Sequence, residues 1–140
     1  MIPMQRRNAQ MEFAIQIFAS AWMFWLGLLV FPEALGAHVY GEMAQSIQAE
    51  AWASGFMGAS LLLIYGVHIN GRWRWSPFLR IAGLILLALL FAALALSSFS
   101  APAGVVIWAF TIPCFLFPCL RFLRLNVMDA RARWRNARNK

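Results

Sequence analysis

Apolar residues fall in four long runs separated by short polar stretches, and each run has the length of a helix that crosses a lipid bilayer. A hydrocarbon core about 30 Å thick needs about 20 mostly apolar residues of helix. The first run covers about residues 12–31, through Ile15, Ile17, Phe18, Trp22, Phe24, Trp25, Leu28 and Val30. The second covers about 51–69, the third 77–99 and the fourth 103–120. Their interiors hold no charged residue; Arg80 falls in the first turn of the third.

The polar breaks support the same division. Pro32 stops the first helix, Asn70-Gly71 suits a helix C-terminus, and Ser76-Pro77 reads as an N-cap followed by a first-turn proline. The short connection from Ser97 to Pro102 predicts an antiparallel hairpin of the third and fourth helices. Residues from Glu42 to Glu50 have helical composition and are expected to continue into the second helix. Ala34-Leu35-Gly36 loosely resembles a signal cleavage site, but the apolar run before it is longer than a signal core, so it reads as a retained helix.

Composition turns this pattern into a statement about solvent. Hydrophobic residues are 62% of the chain, charged residues 12%, and the mean hydropathy is +0.66. A soluble domain is about half apolar and about a quarter charged, and a globule of 140 residues could not hide this much apolar surface from water. The same balance excludes a disordered tail, a disulfide scaffold and an ordinary cytosolic enzyme. The expected fold is an all-α membrane protein: four transmembrane helices in residues 1–120, then a basic amphipathic tail in 121–140.

The net charge of +7 sets the orientation. Arg6 and Arg7 precede the first helix; Arg72, Arg74 and Arg80 lie between the second and third; Arg121, Arg124, Arg131, Arg133, Arg135, Arg138 and Lys140 follow the fourth. The other two connections hold no Lys or Arg, and the first of them carries Glu33, Glu42, Glu50 and His38. Basic residues mark cytoplasmic segments, so both termini are expected in the cytoplasm of a bacterial inner membrane.

Candidate chemistry is sparse. The polar groups expected at depth are Gln16, Ser20, Ser54, Ser60, Tyr65 and Thr111, which include no base paired with a nucleophile and no proton relay. Cys114 and Cys119 lie about 140° apart around a helix, and His38 and His68 are placed on opposite sides, so no ligand set converges. No catalytic residue, cofactor or metal is therefore assigned. Ser54 with Gly58, Gly55 with Ala59, and Gly66 further along are spaced for close helix packing, within one bundle or between subunits. Pro113 and Pro118 are expected to kink the fourth helix. Arg72, Trp73, Arg74 and Trp75 read as an interfacial anchor, as does Trp52 on the opposite side.

In the tail, Leu120, Leu123, Val127, Ala130, Trp134 and Ala137 form an apolar stripe beside a basic one containing Arg121, Arg124, Arg131, Arg135 and Arg138. Such a helix suits the headgroup layer, with arginines on anionic lipid at the cytoplasmic face. Positive-inside topology already accounts for the charge, so lipid is favoured as the partner over nucleic acid, alongside a homo-oligomer or a membrane complex.

The stretch Ile69-Asn70-Gly71-Arg72-Trp73-Arg74-Trp75-Ser76-Pro77-Phe78-Leu79-Arg80, followed by Ala82-Gly83, resembles small four-span membrane proteins of tailed phages and prophages of Gram-negative bacteria. Those proteins carry a tryptophan–glycine start to the second span, an Asn-Gly-Arg turn and a Ser-Pro-x-x-Arg start to the third. Trp52 and Gly55 occupy roughly the first of these places, and the likeness covers about Trp52 to Gly83. The longer outer loop and arginine-rich tail depart from the pattern. The resemblance implies a phage-associated inner-membrane protein. Small size, several uncharged spans, small-residue faces and a basic cytoplasmic tail lead separately to an expectation of a non-enzymatic, self-associating, holin-like protein. An accessory or assembly subunit of a membrane complex, or a small channel or transporter, is the alternative.

Overall fold

The computed structural model describes residues 4–30, 49–69, 76–97 and 109–138. These segments are helical: α1, Met4–Val30; α2, Ala49–His68; α3, Ser76–Ser97; and α4, Phe117–Arg138, which a π-helical turn at Ile112–Leu116 leads into directly. Three segments, Ala51–His68, Ser76–Leu96 and Ala109–Ala132, are long and apolar enough to cross a membrane. The described residues are thus all helical, and three of their segments suggest a membrane protein by length and composition.

Helices adjacent in sequence pack on one another: α1 on α2, α2 on α3, and α3 on α4 and the π turn. Side chains link the first helix to the last. The rings of Phe13 and Phe122 lie 5.6 Å apart, and Arg6 pairs with Asp129. The core takes Phe13, Ala14 and Ile17 from α1, Ala59, Leu63 and Val67 from α2, Leu84, Leu87 and Phe91 from α3, and Cys119 from α4. Within α2 and α3 these positions recur every three or four residues, and in α1 Ile17 follows Phe13 and Ala14 by four and three, which puts each set on one helix face.

The opposite faces are as apolar as the core. Met23, Leu61, Leu89, Leu96, Phe110 and Phe117 are all more than half exposed. A helix apolar all round needs hydrocarbon or protein against every face.

Helices α2 and α3 approach closely. A Cβ built on Gly83 would lie 3.0 Å from the backbone nitrogen of Leu63 and 3.2 Å from the carbonyl oxygen of Ala59. A Cβ on Gly66 would lie 3.0 Å from the backbone nitrogen of Arg80. Two glycines, one on each helix, therefore let the backbones touch. At the end of this contact the Ser76 hydroxyl donates to the Gly66 carbonyl oxygen at 2.9 Å.

The fourth helix has two features of its own. It runs through residue 120 without a break, and the segment long and apolar enough to cross a membrane reaches Ala132. The reason is that Phe122, Leu123 and Asn126 carry the packed face onward, holding this stretch on the bundle. Around the prolines the helix widens: the Phe117 N–H reaches Ile112 O, one residue further back than in an α-helix. Pro118 has no N–H to offer Cys114, and its ring crowds the carbonyl four residues earlier. A π turn that contains Cys114 relieves that clash.

Candidate functional site

The small residues of α2 divide between two faces. Ala59 and Gly66 are buried against α3, and Gly55 reaches it too, its built Cβ lying 3.6 Å from Leu90. Ser54 and Gly58 are exposed, and a Cβ on Gly58 would meet nothing within 4 Å. Spacing alone did not separate the pairs. Gly83, which packs against the α2 backbone, escaped the packing assignment because it has no small partner four residues away on its own helix.

The polar residues also redistribute. Of those expected at depth, Ser60 and Thr111 are buried, whereas Gln16, Ser20, Ser54 and Tyr65 are exposed. Ser60 donates to the carbonyl oxygen of Phe56 at 2.7 Å, so its hydroxyl is satisfied within its own helix. The buried polar side chains that sequence missed are Gln10, Arg80 and Asn126. Arg80, read as a basic mark at a helix end, is 1% exposed and is the largest fully buried side chain. Its stem lies against Gly66, which has no side chain to exclude it, and its Nε donates to Ser76 O at 3.4 Å.

On α4, Arg121, Arg124, Arg131 and Arg135 are exposed. Trp134 is exposed as well, and its ring meets Phe78 edge-on at 6.4 Å. An exposed basic face beside an aromatic anchor suits the headgroup layer electrostatically. The expectations for Arg72, Trp73, Arg74 and Trp75 lie outside the described residues, as do the side chain of Arg138 and residues Glu33, His38 and Glu42.

A cavity of about 200 Å³ opens between α1, α2, α3 and the π turn. Its walls include Ser20, Phe24, Trp52, Phe56, Phe91 and Phe115. The rings form a series, with Phe56 4.8 Å from Phe91, and Phe91 stacked on Phe115 at 5.1 Å and 15°. Trp52 Nε1 is buried and finds no partner among the described residues.

No group of three or more His, Cys, Asp or Glu residues able to hold a metal occurs among the described residues. Cys114 is exposed, Cys119 is buried, and both are free thiols. Comparison with protein families, with characterised proteins and with solved structures gives no match.

Proposed function

We propose that this is a non-enzymatic, self-associating protein of a bacterial inner membrane, phage-encoded and acting in the manner of a holin. In this reading all four helices span the membrane, with both termini in the cytoplasm. The distribution of Lys and Arg along the sequence supports that orientation.

The observation that carries self-association is the outward placement of Gly58 and Gln16 on long apolar helices. A glycine with nothing within 4 Å contributes no packing inside the subunit. An amide facing hydrocarbon lacks hydrogen-bond partners that a second chain can provide. Both features gain from another copy, and neither serves the monomer. A protein that gathers in this way accumulates as a patch and then opens the bilayer.

Expression in a bacterial host, with membrane potential and dye entry followed against protein level, tests the reading. The expected outcome is abrupt dye entry above a threshold amount, together with a homo-oligomer in mild detergent. An intact potential at high protein level removes it. A single stoichiometric partner on purification would instead make the protein an accessory subunit, and selective ion flux from liposomes would make it a channel.

A further inference from the structure

Two side chains of opposite charge, Glu12 on α1 and Arg121 on α4, are exposed on the outer surface of the subunit. We infer that they form reciprocal ion pairs between two copies of this chain, related by a two-fold axis along the membrane normal. The inference rests on the self-association proposed above and names its contact.

Depth comes first. Arg121 stands at the middle of Ala109–Ala132, the segment of the π turn and α4 that is able to cross a membrane. Either end is about 17 Å of helix away, further than an arginine stem extends. Its guanidinium therefore cannot snorkel to the headgroups as Arg131 and Arg135 can, nor can it shed its proton. Glu12 lies at the same depth: it precedes Phe13, Arg121 precedes Phe122, and those two rings are 5.6 Å apart. Among the described residues neither charge enters an ion pair. Charges held within a bilayer are costly and pair with one another where they persist.

Helix geometry supplies the partner. α1 and α4 run antiparallel and meet through Phe13 and Phe122. One residue back is a turn of about 100° on each helix, in opposite senses when both are seen from one side of the membrane. Glu12 and Arg121 therefore emerge on the same side of the α1–α4 seam, the acid on one helix and the base on the other. A two-fold rotation beside that seam keeps every residue at its depth and sets α1 of one copy against α4 of the other. Glu12 of each copy then faces Arg121 of the other, an isologous contact. Gln16 is exposed one turn along the same ridge of α1 and adds a hydrogen-bonding group to this contact.

The test uses the full chain carrying either of two affinity tags, co-expressed and extracted in mild detergent. Wild type, Glu12→Arg and Arg121→Glu are compared by copurification of one tag with the other. Wild-type chains should copurify. Each variant should associate with itself about tenfold more weakly or worse, because like charges now meet. Glu12→Arg mixed with Arg121→Glu should associate as wild type does, since both contacts again join opposite charges. No rescue in the mixture overturns the inference and is the result expected of a pair within one chain. Undiminished self-association of both variants also overturns it, and is the result expected if these charges face a water-filled lumen. Wild-type chains that fail to copurify overturn it together with the self-association on which it rests, whereas lost rescue removes this contact alone. If the charge reversals do not fold, Glu12→Gln decides: it keeps the side chain's shape, and unchanged self-association in that variant overturns the inference.

Discussion

The guanidinium of Arg6 lies 2.6 Å from the carboxylate of Asp129, joining positions 123 residues apart. Seven residues further along α1 and seven earlier on α4, Phe13 meets Phe122. The two contacts fix an antiparallel register between the first and last helices. Asp129 is the sole acidic residue after Glu50, so this register depends on one carboxylate among many arginines. Both partners are about one-quarter to one-third exposed, which moderates the pair's strength. Asp129→Asn should lower stability by about 1 kcal/mol, as partly exposed ion pairs do. A double-mutant cycle with Arg6→Gln, read by denaturation in mild detergent, should recover most of that as coupling. Additive losses would show that the pair contributes nothing.

Glycine substitutions should separate the two faces of the α2–α3 pair. Gly83→Ala places a methyl 3.0 Å from Leu63 N and 3.2 Å from Ala59 O, and backbone atoms cannot step aside. The helices must part, at a cost of about 1–3 kcal/mol. Gly66→Ala meets the Arg80 backbone nitrogen at 3.0 Å and should behave similarly. Gly58→Ala meets nothing, and in a monomeric detergent preparation it should be neutral or gain up to about 1 kcal/mol from helix propensity. Melting temperatures of the three variants check the ranking.

Those residues also show how far the sequence could be read. The positions of α2 and α3 were legible because a helix that crosses a bilayer needs an apolar run of set length, and Ser76-Pro77 marks the start of α3 to within a residue; α1 begins at Met4 and α4 ends at Arg138, well outside the apolar runs read for them. Which face of each helix lies inside was not legible. In water, polarity separates the inner face from the outer one. Here Leu61 outside and Leu63 inside are chemically the same. The few polar residues misled for the same reason: Arg80 looked like a terminal charge, yet the space opened by Gly66 lets its stem lie between α2 and α3. The cavity depends on which aromatic residues converge, and no one-dimensional period encodes that.

Between the Arg6–Asp129 pair and the Phe13–Phe122 pair, the α1–α4 register places Gln10 and Asn126 in one layer. Both are essentially inaccessible. Asn126 Nδ2 donates to Phe122 O at 2.8 Å, whereas its Oδ1 and both polar atoms of Gln10 have no partner among the described residues. Each such group carries a desolvation cost of about 1–3 kcal/mol. Gln10→Met keeps the side chain's length without its polar atoms and should therefore raise the unfolding temperature. A fall instead would show that the two amides are satisfied in the membrane, through each other or through an ordered water, and that they hold α1 to α4.

The two thiols report on packing from one chain. Cys114 is exposed within the π turn, while Cys119, five residues on, lies wholly in the core. Maleimides require an accessible sulfur as well as a thiolate. In mild detergent, N-ethylmaleimide should modify Cys114 and leave Cys119 untouched; in SDS both should react, with the sites read by mass spectrometry of the digested protein. Equal labelling in mild detergent would contradict the packing of α4 against Phe13 and Leu87. Comparing oligomer with monomer extends the measurement. Protection of Cys114 confined to the oligomer would place the outer face of the π turn at a subunit contact, whereas persistent reactivity would leave that face to lipid and direct the search for the contact to Gly58 and Gln16.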